Sequence, residues 1–125
     1  MSTVLIVDDC PAVRKTLRSL LEKLSSVVCT EAANGLDAIA MTQQSCPDLI
    51  ILDLGMPGMN GFEAATVLQK IMPKVPLFMF TSHQSRDVES QAASVGIRAV
   101  FSKYTGINAL LAQVSELLNP SHALA

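Results

Sequence analysis

The chain has few of the features that mark a disulfide-rich, zinc-binding or membrane-spanning protein. Its cysteines, Cys10, Cys29 and Cys46, are odd in number and lack CxxC spacing, which argues against disulfides and a zinc site and favours reduced thiols. No uninterrupted apolar stretch exceeds five residues, whereas crossing a bilayer takes roughly 20. The N-terminus shows no signal-peptide pattern. We therefore expect a cytoplasmic protein without membrane insertion.

Charged residues are also scarce and nearly balanced. Only 16% of the residues are charged and 50% are hydrophobic, a composition typical of a compact fold rather than of disorder. The formal net charge of -2 provides no electrostatic reason for nucleic-acid binding, so we expect no direct DNA binding by this chain. The length of 125 residues suits a single domain over residues 1–125, with a flexible tail over 119–125.

Short apolar runs alternate with amphipathic stretches along the chain. The runs are bounded by turn-forming residues, as in strands buried on both faces of a parallel sheet, and the stretches between them have helical periodicity. This alternation predicts a doubly wound α/β fold, a (βα)5 three-layer sandwich with right-handed crossovers. The predicted strands are 4–7, 27–31 (near an edge), 49–52, 76–80 and 99–101, and the predicted helices are 11–24, 36–45, 61–72, 86–95 and about 106–118.

Two of these helices carry further signals. Asn60 followed by Glu63 has the spacing of a capping box at the start of the third helix. The apolar side of that helix is predicted to comprise Ala64, Val67, Leu68 and Ile71. The fourth helix has the least apolar material, so we expect it to be the helix that shifts most readily.

Polar residues follow four of the predicted strands. Asp8 and Asp9 come after the first strand, Asp53 after the third, Thr81 after the fourth and Lys103 after the fifth. Asp53 follows four consecutive large apolar residues, which leaves it no polar strand face and places it at the strand's carboxyl end. The carboxyl ends of parallel strands share one edge of the sheet, the edge at which open α/β folds bind ligands. We therefore expect these side chains to lie close together.

Carboxylates brought this close either raise each other's pKa or need a cation between them. Oxygen ligands without a His or Cys cluster suit a hard cation such as Mg²⁺. Lys103 adds a positive charge on a flexible stem, which suits a phosphoryl oxygen. Together with a hydroxyl, these groups suit phosphoryl transfer to a carboxylate, in which positioning and charge neutralisation do most of the work.

Five motifs in the same order resemble the receiver domain of two-component response regulators. They are residues 4–9 (VLIVDD), 47–53 (PDLIILD), 56–61 (MPGMNG), 81–82 (TS) and 101–103 (FSK), and the resemblance extends from residue 3 to about 118. It implies the strand order 2-1-3-4-5. It also implies a phosphorylation-dependent signalling switch, not an enzyme acting on other substrates, that receives its phosphoryl group from a sensor histidine kinase or a histidine phosphotransfer protein.

The resemblance also implies a role for each site residue. Asp53 would accept the phosphoryl group. Asp9 would bind Mg²⁺ directly and Asp8 through water, with Asp53 and the backbone carbonyl of Gly55 as the other protein ligands. Thr81 would supply the hydroxyl that moves to the phosphoryl group, and Lys103 would pair with it. The helix 4/strand 5 surface would change on phosphorylation to control a downstream partner.

The sequence departs from the family pattern in two places. Receivers usually have a cis proline after the lysine, where this chain has Tyr104. A cis bond without proline costs roughly 3 kcal/mol, so the sequence leaves the geometry of this loop undetermined. Receivers also often carry an aromatic residue three positions before the lysine, where this chain has Val100. Because strand side chains alternate, Phe101 should face the other way and belong to the core beneath the first or last helix.

Several interpretations remain open from sequence alone. A phosphatase of the haloacid-dehalogenase type also forms an aspartyl-phosphate, but it needs an acid two residues after its nucleophile, where this chain has Gly55. The basic residues Arg14, Lys15 and Arg18 suit either a solvated helix face or a contact with the kinase. His83 lies at the rim of the expected site, where a solvated loop histidine is the simpler interpretation.

Overall fold

The computed structural model describes residues 1–119, which form five strands in strict alternation with five helices. The predicted fold class is confirmed. The strands are β1 (Ser2–Val7), β2 (Val27–Ala32), β3 (Leu49–Leu52), β4 (Leu77–Thr81) and β5 (Ala99–Ser102). The helices are α1 (Pro11–Leu21), α2 (Gly35–Thr42), α3 (Gly61–Ile71), α4 (Arg86–Ser94) and α5 (Ile107–Leu118).

The five strands form one parallel sheet in the order β2-β1-β3-β4-β5, as the resemblance implied. The register aligns the strand ends: Val7 is paired with Ala32 on one side and with Leu52 on the other. The residues that follow β1 and β3 therefore leave the sheet side by side. This register places Asp8 and Asp53 at the same edge.

Each face of the sheet is covered by its own group of helices. Residues of α2, α3 and α4 pack on one face, in a core that includes Leu5, Leu52 and Met79. Residues of α1 and α5 pack on the other face, in a core that includes Ile6, Ile51 and Phe78. Such a three-layer arrangement buries both faces of the central strands, which explains why β3 is apolar throughout.

The alternation of side chains on β5 follows the prediction from strand geometry. Phe101 is 8% exposed and packs in the core beneath α1 and α5. Its ring meets that of Phe78 edge-on, with 5.5 Å between the centroids. Val100 packs against the core on the opposite face. The prediction for Phe101 is therefore confirmed.

Local signals explain how α3 begins where it does. The side chain of Asn60 accepts a hydrogen bond from the backbone N–H of Glu63, and the Glu63 carboxylate accepts one from the N–H of Asn60. The predicted capping box is present. At Gly61 a Cβ atom would collide with the backbone carbonyl of Asp53, so only glycine allows α3 to start this close to the end of β3.

Four predictions about helix faces and ends were wrong. The first helix ends at Leu21 instead of residue 24, since Glu22 already forms its C-cap. Ile71, the last residue of α3, is 47% exposed, whereas Leu68 in the same turn is 1% exposed. The second helix ends at Thr42 instead of residue 45, since Gln43 already forms its C-cap. Asn119, assigned to the flexible tail, is the C-cap of α5 and donates its N–H to the carbonyl of Ser115. Residues 120–125, the rest of that predicted tail, lie outside the described residues.

The fourth helix is anchored by few side chains, as its composition predicted. Ala92 is its only buried residue, while Val88, and Val95 at its C-terminal end, are half-buried. None of the helices between residues 1 and 119 is long and apolar enough to cross a membrane.

Candidate functional site

Asp53 is held at the carboxyl end of β3 by contacts on both sides. Its backbone N–H donates to the carbonyl of Val7 at 2.9 Å, continuing the pairing between β3 and β1. Its carboxylate Oδ1 accepts a hydrogen bond of 2.8 Å from the N–H of Leu54. The residue is 6% exposed. A buried strand end therefore fixes this carboxylate in one orientation.

The acids after β1 differ in their exposure. Asp8 is 3% exposed, and its Oδ1 accepts a hydrogen bond of 2.9 Å from the backbone N–H of Cys10. Asp9 is exposed. Ligand oxygens of Asp8, Asp9 and Asp53 nevertheless all lie within 4.8 Å of one another. The structure thus brings together the acids that the sequence placed at one sheet edge.

Lys103 reaches into this cluster from the end of β5. Its Nζ lies 2.7 Å from Oδ2 of Asp8 and 3.1 Å from Oδ2 of Asp53. Its backbone N–H donates to the carbonyl of Thr81 at 2.9 Å, which ties the start of the loop after β5 to the end of β4. The ammonium therefore bridges the two buried carboxylates.

Burial and charge act in opposite directions on the groups of this cluster. Burial raises the pKa of Asp8, because desolvation outweighs its hydrogen bonds with Lys103 and with the N–H of Cys10. Burial by itself would lower the pKa of Lys103, but the hydrogen bond and charge of Asp8 and the charge of Asp53 raise that pKa overall. The lysine therefore stays protonated, and one ammonium faces three carboxylates. This excess of negative charge favours a cation.

The donor set fits the Mg²⁺ ion that the acid cluster predicts. Three carboxylates offer oxygens within 4.8 Å of one another, and Asp8 and Asp53 are buried while Asp9 faces solvent. Hard oxygen donors with an open, hydrated side are what Mg²⁺ prefers, since it keeps several of its waters. Gly55, predicted to contribute its carbonyl, is exposed in the loop after β3.

Thr81 and His83 form the wall of the site at the end of β4. Thr81 is fully buried, and its Oγ1 accepts a hydrogen bond of 3.1 Å from the backbone N–H of His83. A Cβ placed on Gly55 would lie 3.7 Å from Cδ2 of the His83 ring. His83 is exposed, yet its imidazole lies beside the loop that follows Asp53.

Comparison with known protein families shows which family this chain belongs to. Residues 4–115 match the response regulator receiver domain. The chain belongs to that family. Receiver domains are the regulatory modules of two-component signal transduction, so the family predicted from the five motifs is confirmed.

Individual relatives support the same assignment for this receiver domain. Protein PilH of Pseudomonas aeruginosa is 32% identical over 120 residues, a match covering 94% of this chain and 98% of PilH. A putative transcriptional regulator of the same organism is 31% identical over 118 residues, but the match covers only 57% of its length. The structure of chemotaxis protein CheY4 of Vibrio cholerae superposes with a TM-score of 0.85 at 28% identity, covering 94% of this chain and 98% of CheY4.

The loop after Lys103 in this receiver domain is built by residues that the sequence interpretation missed. The side-chain Oγ of Ser102, itself 9% exposed, accepts hydrogen bonds from the backbone N–H groups of Tyr104 and Thr105 at 3.1 and 3.4 Å. The peptide bonds of the described residues, including Lys103–Tyr104, are all trans. Ser102 is a turn-forming residue type, which is the only sequence signal that could have indicated this contact.

Sequence interpretation also missed how the basic residues of α1 are used. Arg14 contacts the backbone carbonyl of Asp8 and the carboxylate of Glu31, and Arg18 contacts the other oxygen of Glu31. Lys15 is exposed. Two of these three residues are therefore engaged within the domain, and no local pattern in the sequence links them to β2.

Proposed function

We propose that this receiver domain accepts a phosphoryl group on Asp53 from a phosphohistidine of a sensor histidine kinase or histidine phosphotransfer protein. The carrying observation is the buried carboxylate of Asp53, 3.1 Å from Nζ of Lys103 and clustered with Asp8 and Asp9. An oxygen of Asp53 forms the bond to phosphorus while the phosphorus–nitrogen bond breaks, and the imidazole nitrogen retains that electron pair. Hydrolysis later returns inorganic phosphate.

The chain's own residues divide the work of this reaction. Asp9 and Asp53 would bind Mg²⁺ through carboxylate oxygens, Asp8 through water, and Gly55 through its backbone carbonyl. The ion supplies positive charge that offsets the charge of the transferring group. Lys103, already beside Asp53, pairs with a phosphoryl oxygen. Thr81 turns its hydroxyl from the N–H of His83 towards the phosphoryl group.

The surface beside the site supports the proposed partner. A groove of about 360 Å³ is lined by residues of α1, by Ile107 at the start of α5 and by Lys103. Its walls are largely apolar and include Val13, Leu20, Phe80 and Ile107. A helix of the kinase or phosphotransfer protein that packs in this groove would bring its phosphohistidine to the acid cluster.

The domain acts in this proposal as a switch rather than as an enzyme. It catalyses only its own phosphorylation and dephosphorylation, and the phosphorylated form changes the surface of α4 and β5 to control a downstream partner. The loose anchoring of α4, with Ala92 as its only buried residue, lets that surface respond to the site. A cytoplasmic location stays a prediction.

Incubation with phosphoramidate and Mg²⁺ tests the phosphoacceptor. We expect the intact mass to increase by one phosphoryl group, and no increase in Asp53→Asn or when a chelator removes Mg²⁺. Asp48→Asn is the matched control, because Asp48 precedes β3 at the opposite end of the strand and is exposed. Persistent labelling of Asp53→Asn would refute the assignment, and steady turnover of a phosphate monoester would favour the phosphatase alternative.

A further inference from the structure

The backbone carbonyl of Asp8 has an unusual partner for a residue at a strand end. The last residue pair between β1 and β2 is Val7 with Ala32. The N–H of Asp8 continues this pairing by donating to the carbonyl of Ala32 at 3.1 Å. Beyond that pair, the carbonyl of Asp8 accepts a hydrogen bond from Nη1 of Arg14 at 2.6 Å. A side chain from α1 therefore holds the backbone where the sheet ladder stops.

Arg14 is itself held in place from β2. Its Nε lies 3.0 Å from Oε1 of Glu31, and the side chains of Arg14 and Glu31 are only 16% and 23% exposed. Arg18 binds the second oxygen, with Nη1 2.8 Å from Oε2. The hydrogen bonds from Arg18 and then Arg14 outweigh burial and lower the pKa of Glu31, so this carboxylate is ionised at neutral pH. A partly buried ion pair thus orients the guanidinium that faces Asp8.

The three-residue turn of Asp8, Asp9 and Cys10 is secured at both ends by α1. The N–H of Cys10 donates to Oδ1 of Asp8, and the carbonyl of Cys10 accepts the N–H of Arg14 at 3.2 Å. The side chain of Cys10, at the N-cap position, makes no capping bond. Arg14 therefore contacts this turn twice, through its backbone at Cys10 and through its side chain at Asp8. The exposed Asp9 lies between the two contacts.

We propose that Arg14 is a positioning residue for Mg²⁺ binding, acting through the carbonyl of Asp8. Because a peptide unit is planar, fixing this carbonyl fixes the plane that leads into Asp9. The Asp9 carboxylate is then presented towards Asp8 and Asp53 before the ion arrives. Residues that orient metal ligands without touching the metal themselves typically change metal affinity by about 10- to 100-fold when they are replaced. The proposal rests on the Mg²⁺ site of the proposed function.

Charge alone would give the opposite effect, which makes the proposal testable. A guanidinium next to the acid cluster repels a divalent cation, so its removal should tighten Mg²⁺ binding if Arg14 acts only through its charge. If Arg14 acts by positioning, its removal should weaken binding. The direction of the change in Mg²⁺ affinity separates the two effects.

Calorimetric titration of the full chain with Mg²⁺ provides this measurement. We expect Arg14→Met to weaken Mg²⁺ binding by about tenfold, in the range usual for residues that orient metal ligands. Lys15→Met is the matched control, since Lys15 is exposed on the same helix and its replacement removes the same charge at a neighbouring position. Its Mg²⁺ affinity should stay near that of the unmodified chain. Unchanged or tighter binding by Arg14→Met would overturn the proposal.

A second variant covers the case in which Arg14→Met does not fold. Arg14→Lys keeps the charge but lacks the planar fork that contacts the Asp8 carbonyl and Glu31 together. We expect it to weaken Mg²⁺ binding and to speed amide hydrogen exchange at Asp9 and Cys10 in metal-free protein. Wild-type affinity and exchange in Arg14→Lys would contradict the proposal.

Asp9→Asn distinguishes failure of this proposal from failure of the site. If Asp9→Asn abolishes Mg²⁺ binding while Arg14→Met and Arg14→Lys bind normally, the site stands and the role of Arg14 is wrong. If Asp9→Asn binds Mg²⁺ as well as the unmodified chain, the ion binds elsewhere, and both the site and the role of Arg14 are refuted.

Discussion

Nζ of Lys103 lies 2.7 Å from Oδ2 of Asp8, although the two residues are 95 positions apart in the chain. The same ammonium contacts Asp53 at 3.1 Å. In the metal-free protein this ammonium is in direct contact with both buried acids and offsets part of their negative charge. We therefore expect Lys103 to stabilise the metal-free protein by offsetting the charge of these acids, and to repel a Mg²⁺ ion that binds to the same acids.

Replacing Lys103 tests this relationship. Lys103→Met should lower the free energy of unfolding of the metal-free protein by about 1–2 kcal/mol, because Asp8 and Asp53 stay buried without their ionic partner. The same variant should bind Mg²⁺ more tightly, since the ammonium no longer repels the ion. Urea denaturation and calorimetric titration measure the two effects, with the exposed Lys74→Met as control. A variant with unchanged stability and affinity would show that the ion pair is energetically silent.

Asp9 is expected to have opposite effects on metal binding and on metal-free stability. Asp9→Asn should abolish Mg²⁺ binding but raise the thermal midpoint of the metal-free protein by about 1–3 °C, because it removes repulsion from Asp8 and Asp53. Calorimetry with and without Mg²⁺ measures both quantities. Glu116→Gln, an exposed neutralisation on α5, controls for a general change of charge. A lower midpoint for Asp9→Asn would mean that the acids do not repel one another.

Cys29 should differ from the other cysteines in reactivity. Burial raises the pKa of Cys29 to about 12, while Cys10 and Cys46 are exposed. At pH 8 a thiol reagent should therefore modify Cys10 and Cys46 in the native protein and spare Cys29 until the protein unfolds. Peptide mapping by mass spectrometry identifies the modified positions. Rapid native modification of Cys29 would contradict its burial.

The same thiol predicts how stability changes at alkaline pH. The pKa of Cys29 is higher in the folded state than its ordinary value of 9.0, so its contribution to stability is complete below pH 9.0 and is lost as the pH rises towards about 12. Cys29→Val keeps an apolar side chain and removes this contribution. The difference in unfolding free energy between the two proteins should change by up to about 4 kcal/mol over this range. A constant difference would refute the prediction.

The conformational switch should operate without a swinging aromatic ring on β5. Val100 has no ring, and Phe101 is buried on the opposite face against Phe78. Gln84, in the loop before α4, instead reaches the backbone carbonyl of Val100 with its Nε2 at 3.3 Å. We therefore expect phosphorylation to move the loop of residues 81–84 and α4 while Phe101 keeps its rotamer.

Nuclear magnetic resonance spectra with and without a beryllofluoride phosphoryl mimic measure this response. Chemical shifts should change over residues 81–94, and the ring signals of Phe101 should stay unchanged. Gln84→Ala removes the contact between the loop and the carbonyl of Val100, so it should reduce the free energy difference between the forms with and without the phosphoryl mimic. Gln91→Ala, at an exposed position on α4, should leave that difference unchanged. Movement of Phe101 or Tyr104 with a static loop would refute the prediction.

Much of this protein could be predicted from local patterns because those patterns follow from short-range physics. The apolar run before Asp53 predicts a buried strand, the pair Asn60 and Glu63 predicts a helix start, and alternation of such elements predicts a parallel sheet. Parallel strands end at one edge, so the meeting of Asp8, Asp9 and Asp53 also followed from the order of the elements. The exposure of Ile71 did not follow, because periodicity places Ile71 on the same side of the helix as Leu68, which is buried.

Residue type, periodicity and chain order were enough to predict the order of the elements, the layers and the sheet edge at which the acids lie. The packed fold was needed to show that Lys103 bridges Asp8 and Asp53, and that Arg14 binds the carbonyl of Asp8 while pairing with Glu31. Such contacts join side chains from separate elements at 2.6–3.1 Å. Their distances depend on strand register and on the packing of helix against sheet, neither of which any local pattern of residues encodes.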